Sequence, residues 1–515
     1  MAKHQFVAVL DFGSQYAQLI ARRIREHSVY CEIRRCDTPA AELKKKNLIG
    51  IVMTGGPRSV YADGAPEADP EILKLGVPIL GICYGMQLGC KYLGAEVKPA
   101  ESREYGHVSL KVNEPEKLLA GVSEETSVWM SHGDMVKELP EYFVPLASTP
   151  TCRFAAVKHK NSNFYGVQFH PEVHHTPDGR TIFRNFLYDI CGAAGDWKME
   201  DFINEEVEKL RRQIGDESCV LGLSGGVDST VVAMLLDRAI GEKLHCIFVD
   251  NGVLRQNEAG QVVNTFKSRL RNFHFIDAAD RFLDLLGGVS DQKKKRRIIG
   301  DEFIHTFMEK ARELGAPHFL AQGTLYPDVI ETTNPHGGPT DQIKPHHNVL
   351  VRKLVEELNV ELVEPLAGLF KDEVRQVGLK LGLPRDIVMR HPFPGPGLAV
   401  RCLGEVTRER LAVLRQADAI VYEEIKKAGL YEDVWQAFAV HLPVRSVGVM
   451  GDEGTYENVI VIRVVESVDA MTADWARLPY DLLQTMSSRI INEVRGVNRV
   501  VYDISQKPPS TIEWE

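Results

Sequence analysis

Residues 218–241 read SCVLGLSGGVDSTVVAMLLDRAIG. A short apolar run of strand length comes first, an apolar segment of helical character comes last, and Ser224, Gly225 and Gly226 lie between them. A strand that turns through glycines straight into a helix is the repeating piece of parallel, doubly wound sheets. Successive small residues also let backbone N–H groups face one anion at the positive end of the following helix. The Gly-Lys-Ser/Thr ending of a Walker loop is absent from the stretch, so γ-phosphoryl transfer of that type is not indicated.

Downstream, LHCIFVDNG (244–252), NFHFIDAAD (272–280) and PHFLAQGT (317–324) repeat the strand-like run with helical segments between them, to about residue 390. Upstream, FVAVLDFG (6–13), LIGIVMTGG (48–56), VPILGIC (77–83) and FYGVQFH (164–170) make a second alternation of the same kind. The small residues of CGAAGDWKMEDF (191–202) read as a linker between the two. HPFPGPGLAVR (391–401) is too rich in proline and glycine for a helix or an inner strand, and marks a boundary, a mobile flap, or both. After it come a helix over 408–429, strands over 446–452 and 459–467, a helix over 478–494 and a strand over 498–505. The predicted fold is α/β: two doubly wound, mainly parallel α/β domains over 1–195 and 200–392, then a small α+β domain over 393–515.

The 515 residues are enough for about three domains. A net charge of −10 offers no broad basic field, which argues against nucleic acid as a partner. The start MAKHQFVAVLDFG lacks a charged segment followed by a long apolar one, and no run of about 18 apolar residues occurs, so a soluble, cytoplasmic protein without a membrane partner is expected. The nine cysteines show no paired C-x-x-C spacing and read as reduced core residues rather than disulfides or zinc ligands.

One cysteine stands apart. In GICYGMQ (81–87), Cys83 sits where a strand turns into a helix, and Gly81 and Gly85 permit a sharp turn that lifts its side chain out of the sheet. A cysteine attacks as thiolate and needs a histidine, a helix N-terminus or both. GVQFHPEV supplies His170 as base and, two positions on and so on the same face of a strand, Glu172 to orient it. Each residue alone is compatible with an ordinary core position, and Gly55-Gly56-Pro57 alone with an ordinary turn.

Together, GICYGMQ, the downstream HPE and the upstream MTGGP resemble the class I glutamine amidotransferases over about residues 1–190. The resemblance implies that Cys83 attacks the glutamine side-chain amide, His170 carries the proton to departing ammonia and Glu172 orients His170. The N–H groups of Gly56 and Tyr84 would form the oxyanion hole.

SGGVDS resembles the loop of the N-type ATP pyrophosphatases, which cleave ATP between the α and β phosphates. That implies pyrophosphate binding by Ser224, Gly225, Gly226, Val227, Asp228, Ser229 and Thr230, with Mg²⁺ neutralising charge and Asp228 the first candidate ligand. Val249 would line the adenosine, although FVDNG reads equally well as a plain turn. Lys371, in FKDEVR, would stabilise the phosphorus transition state, where a lone helical lysine is otherwise a surface residue.

GTLYPDVIE (323–331), IKPHHNV (343–349), HPFPGPGLAVR, PVRSVGVMGD (443–452) and DISQKPPSTIEWE (503–515) extend the resemblance to the glutamine-hydrolysing GMP synthases, across nearly the whole chain. In that family xanthosine 5′-monophosphate (XMP) is adenylated on the purine C2 oxygen, and ammonia displaces AMP to give GMP. Motif matching then implies XMP contacts from Arg296, Gln436, Asp452, Lys507 and Glu513 and a tail that folds over the nucleotide, and the resemblance implies a homodimer through the last domain. Because ammonia must reach the second domain without meeting bulk water, the first domain is expected to swing against it and 391–401 to act as a lid. In QKKKRR (292–297), Lys293 and Lys294 are expected to be solvated. The rival readings are another ATP-pyrophosphatase synthetase, such as one acting on deamido-NAD, and a non-catalytic nucleotide-sensing scaffold.

Overall fold

Most of the apolar runs become strands buried on both faces; NFHFIDAAD becomes a half-exposed edge strand. In a computed structural model, which describes residues 4–45, 47–333, 346–467 and 472–515, the chain divides into one unit that reaches Phe202 and another that begins at Ile203.

Among the described residues, the first unit holds one sheet. Its strands are β1 (Phe6–Asp11), β2 (Tyr30–Arg35), β3 (Leu48–Met53), β4 (Ile79–Ile82), β5 (Glu96–Val112), β6 (Glu125–Glu138), β7 (Phe143–Ser148), β8 (Ala156–His159) and β9 (Phe164–Val167), in the order β2-β1-β3-β4-β9-β8-β7-β5-β6. The half from β2 to β9 is parallel and the half from β9 to β6 antiparallel. β4 and β9 are buried along their whole length, as strands covered on both faces must be. Their neighbouring C-terminal ends, with that of β3, deliver Gly55, Cys83 and His170 to one place.

The second unit opens with a parallel sheet of β10 (Cys219–Gly222), β11 (Leu244–Asp250), β12 (Phe273–Asp277), β13 (Phe319–Ala321) and β14 (Glu361–Val363) in the order β12-β11-β10-β13-β14. The order reverses at β10, so the loop after it lies where open α/β sheets bind ligands. A smaller sheet follows, of β15 (Gln436–Met450), β16 (Glu453–Glu466), β17 (Asp474–Trp475) and β18 (Val497–Tyr502), in which β15 and β17 pair with β16 antiparallel and β18 pairs with it parallel. Helix Arg408–Lys427 packs Leu411, Leu414 and Val421 into a core that also contains Val220 and Ile247 of the first of these sheets and Ala439 and Ile460 of the second. One continuous core therefore spans the pyrophosphatase-like and C-terminal segments.

The expected flap at 391–401 is packed over half its length. Leu398 N–H donates to Val253 O at 2.7 Å, and Leu398, Ala399, Val400 and Arg401 are fully buried. Gly397 has φ +59, and a Cβ there would overlap the Val253 carbonyl. Pro392–Pro396 is left as loop between the buried His391 and Gly397. All nine cysteines are free, eight of them buried. Among the described residues no helix is long and apolar enough to cross a membrane.

Candidate active site

Cys83 is the residue before helix Tyr84–Tyr92 and adopts φ +50, ψ −105, a backbone conformation that costs about 1–3 kcal/mol for a side chain with a Cβ. The flanking glycines make it possible. A Cβ on Gly81 would lie 2.6 Å from Gly85 O, and one on Gly85 would overlap the Met53 carbonyl. Cys83 N–H donates to Val167 O at 2.8 Å and Gly85 N–H to Thr54 O at 3.0 Å, which ties the turn to the ends of β9 and β3. The first N–H groups of the helix have no intrahelical acceptor, and Tyr84 supplies the first.

His170 and Glu172 meet, though in the turn that follows β9, which ends at Val167, rather than on one face of a strand as the i, i+2 spacing predicts. Nδ1 of His170 lies 2.7 Å from Oε1 of Glu172, and both residues are buried. Burial alone would push the His170 pKa down; the Glu172 carboxylate and the hydrogen bond with Cys83 outweigh it and hold it well above the usual histidine value. Tyr16 packs against the imidazole at 5.2 Å between ring centroids, and Thr176 Oγ1 donates to His170 O at 2.7 Å. Gly56 packs against Tyr84, where a Cβ would stand 3.1 Å from Cγ of that ring. Gly55, to which the motifs gave no role, abuts His170 and Cys83 directly: a Cβ there would come within 3.3 Å of His170 Cε1 and 3.9 Å of Cys83 Cβ.

In the second unit the loop after β10 is a turn braced by its own hydroxyls. Gly225 has φ +74 and Gly226 precedes helix Val227–Ile240. Ser224 Oγ accepts from Gly226 N–H at 3.2 Å and lies 3.0 Å from Ser229 Oγ. Thr230 Oγ1 donates to Gly226 O at 2.8 Å and is fully buried, so its hydroxyl holds the turn together. Val227 and Val249 are both buried; Val249 lies at the end of β11 beside Asp250.

Lys371 Nζ meets Asp228 Oδ2 at 2.5 Å, which joins the lysine of the helix Lys371–Lys380 to the loop. The other oxygen, Asp228 Oδ1, is buried and has no hydrogen-bond partner. Arg390 NH1 donates to Gly225 O at 3.2 Å and its NH2 pairs with Glu258. Among the described residues no group of three or more His, Cys, Asp or Glu could hold a metal by itself. One free carboxylate oxygen does fit Mg²⁺, which protein sites hold through one or two carboxylates together with ligand phosphates.

Of the residues expected at XMP, the structure unites two. Gln436 Nε2 donates to Glu513 Oε1 at 2.9 Å and to Pro392 O at 2.9 Å. Beside Glu513 stands Arg401, to which the motifs gave no role. It is fully buried, gives Glu513 two hydrogen bonds of 3.0 and 2.8 Å, and packs its guanidinium 3.9 Å from the centre of the Phe438 ring. Burial would raise the Glu513 pKa, but Arg401 and Gln436 hold that carboxyl below the usual range.

Arg296 donates to Glu515 O, and its neighbour Lys295, fully buried, donates to Ala399 O at 3.2 Å, Cys402 O at 2.8 Å and Glu515 Oε2 at 2.5 Å. Lys293 and Lys294 are exposed. Lys507 pairs its backbone with Ala473. Asp452 is exposed in the β15–β16 turn with φ +67, roughly 40 Å along the hairpin from Gln436, so within one chain it is apart from Gln436 and Glu513. In the IKPHHNV motif, residues 343–345 lie outside the described residues, as do the side chains of the remainder.

Three family profiles match the chain: "Glutamine amidotransferase class-I" over residues 8–190, "NAD synthase" over 197–296 and "GMP synthase C terminal domain" over 423–514. Among curated proteins, the "GMP synthase [glutamine-hydrolyzing]" of Carboxydothermus hydrogenoformans is 56% identical and covers 99% of both chains. The protein of that name from Heliobacterium modesticaldum is 55% identical over 100% of both, and that from Aquifex aeolicus 54% over 99% of both.

Proposed function

The chain belongs to the glutamine-hydrolysing GMP synthases, and from that premise we propose how its residues divide the reaction. The enzyme is a ligase with glutamine as amide donor: it releases ammonia from glutamine, adenylates XMP with ATP, and aminates the adenylate to GMP and AMP.

His170 takes the thiol proton of Cys83, Sγ attacks the amide carbon of glutamine, and the proton passes to the departing ammonia. Water then cleaves the γ-glutamyl thioester, which yields glutamate and restores the thiol. The N–H groups of Gly56 and Tyr84 receive the developing oxyanion. The observation that carries this reading is the buried 2.7 Å His170–Glu172 pair beside a cysteine held at φ +50.

In the second unit, Ser224, Gly225, Gly226, Val227, Asp228 and Ser229 embrace the β and γ phosphates, with Thr230 as brace and Val249 beneath the adenosine. Lys371 exchanges its Asp228 contact for the phosphorus centre. When bound, Mg²⁺ supplies charge neutralisation on the phosphate oxygens, held by Asp228. Arg296, Gln436, Lys507 and Glu513 receive XMP, and Asp452 takes part only from outside its own chain's cluster.

We assign residues 1–195, 200–392 and 393–515 to amidotransferase, pyrophosphatase, and XMP-binding and dimerisation roles. The hairpin exposes Val447 at 71%, Val449 at 75% and Tyr456 at 62%, and Val447 stands opposite Tyr456 in the β15–β16 register. Exposed apolar residues on one face suit a homodimer. We place the enzyme in the cytoplasm, where a reactive thiol stays reduced.

Cys83→Ala decides the assignment. Glutamine-dependent GMP formation is lost and formation from added ammonium salt persists. Pyrophosphate release from ATP depends on XMP; dependence on deamido-NAD instead, or glutamine turnover by Cys83→Ala, overturns the reading.

A further inference from the structure

We propose that Gln168, aimed by Gln87, donates a hydrogen bond to the sulfur of Cys83, so that a second polar chain, separate from His170–Glu172, holds the nucleophile. The proposal rests on the reading of Cys83 as the attacking group.

Four buried polar residues line up behind the sulfur. Gln168, Gln87, His132 and Glu104 are exposed by 0, 3, 4 and 5%, and buried polar groups are costly unless each is paired. Their pairing fixes which way each points. Asp134 O is a backbone carbonyl and can only accept, so the Gln87 atom 2.8 Å from it is the amide nitrogen. That same nitrogen lies 3.2 Å from Gln168, which must therefore turn its oxygen toward Gln87. The Gln168 nitrogen is left facing Cys83 Sγ at 3.6 Å.

Behind Asp134 the chain continues. His132 Nδ1 lies 3.0 Å from Asp134 O, and its Nε2 lies 2.8 Å from Glu104 Oε2. Glu104 Oε1 accepts from Thr149 Oγ1 at 2.7 Å and from Thr151 Oγ1. Glu104 and His132 face each other across the β5–β6 ladder. The antiparallel half of the sheet thus fixes the Ser131–Asp134 segment, whose Ser131 O is itself 3.7 Å from Sγ.

A charge-assisted N–H donor stabilises thiolate over thiol. Gln168 is in this sense a catalytic residue, because it touches the reacting atom. Gln87, His132 and Glu104 are positioning residues.

The test uses full-length protein and iodoacetamide as probe, with alkylation of Cys83 followed by mass spectrometry beside glutaminase kcat and thermal unfolding. Gln168→Met slows alkylation and lowers kcat, each by about tenfold, with the protein still fully folded at the assay temperature. Gln168→Glu is slower still, because a carboxylate then faces the thiolate. Gln87→Met matches Gln168→Met, and the double variant is no slower than either single one. Alkylation and kcat of Gln168→Met within about twofold of the unaltered protein overturn the proposal. Should Gln168→Met fail to fold, Gln87→Met decides alone by the same two rates. Cys83→Ser separates the two readings: if it retains glutaminase turnover the nucleophile assignment fails, and if it abolishes turnover while both glutamine variants behave normally, only the Gln168 donor fails.

Discussion

Replacing Glu513 with glutamine keeps the shape of the side chain and removes its charge, which leaves Arg401 without its bidentate partner in a fully buried position. The nearest remaining carboxylate is Asp418, 3.8 Å from Arg401 NH1. At such distances and an effective dielectric near 20 the lost attraction is about 4 kcal/mol, and breaking one partner out of a buried pair costs about 3–5 kcal/mol. Partial compensation by Asp418 places Glu513→Gln at the lower end, about 3 kcal/mol. The pH dependence follows from the depressed carboxyl pKa of Glu513. The stabilisation is fully present above the ordinary glutamate value of 4.5 and is lost as pH falls through the lower folded value. Variant and unaltered protein therefore differ most near neutral pH and converge in acid. Because the two units need not unfold together, the assay is a urea titration read by hydrogen exchange in peptides spanning 393–401 and 505–515. A difference under about 1 kcal/mol at neutral pH, or one that persists undiminished in strong acid, would mean that the Glu513 charge does not hold Arg401 in place.

Gly85→Ala forces a methyl onto the Met53 carbonyl and should cost about 3 kcal/mol or more, seen as a lower melting temperature and lost glutamate release; Gly260→Ala, where nothing lies within 4 Å of a Cβ, should be neutral or stabilising by about 1 kcal/mol. Burial pushes the pKa of His391 and of His441 from 6.5 to about 4, so the unfolded chain binds more protons across that window and stability falls as pH drops through it, by about 3 kcal/mol for each. Urea midpoints that stay flat between those pH values would contradict this, and His441→Leu should flatten the slope. Lys371→Met should slow pyrophosphate release by about 100-fold, with partial recovery in Lys371→Arg, as followed by a phosphate-coupled assay.

The strands legible in the sequence were those covered on both faces. β1, β3, β4, β9, β10, β11 and β13 read as apolar runs because helices hide both sides; β12, a half-exposed edge strand, read as one only through its Phe273, Phe275 and Ile276. β5 and β6 carry a solvent face and charged residues throughout, so their alternation was lost among loops, and with it the antiparallel half of the first sheet. The triad was legible because each member sits in a short local motif, and the phosphate turn because its glycines are contiguous. The chain from Glu104 to Gln168 was not, since it arises only when strands distant in sequence become neighbours. Arg401 ended a motif whose prolines and glycines suggested mobility, and only the shared core shows it as a fixed centre. Lys295 did leave a signal: it stands four residues before Ile299, on the stripe of helix Gln292–Glu313 that turns inward, while its neighbours turn out.

That lysine has a practical consequence. Lys293, Lys294 and Lys295 are consecutive, yet the first two ammonium groups are in solvent and the third is sealed beneath Glu515. An amine-acylating reagent will modify the outer pair at once and reach Lys295 only when the tail lifts. The label ratio within a single peptide is thus an internal gauge of how often residues 511–515 leave their seat, and it can be read in each nucleotide state without altering one residue of the protein.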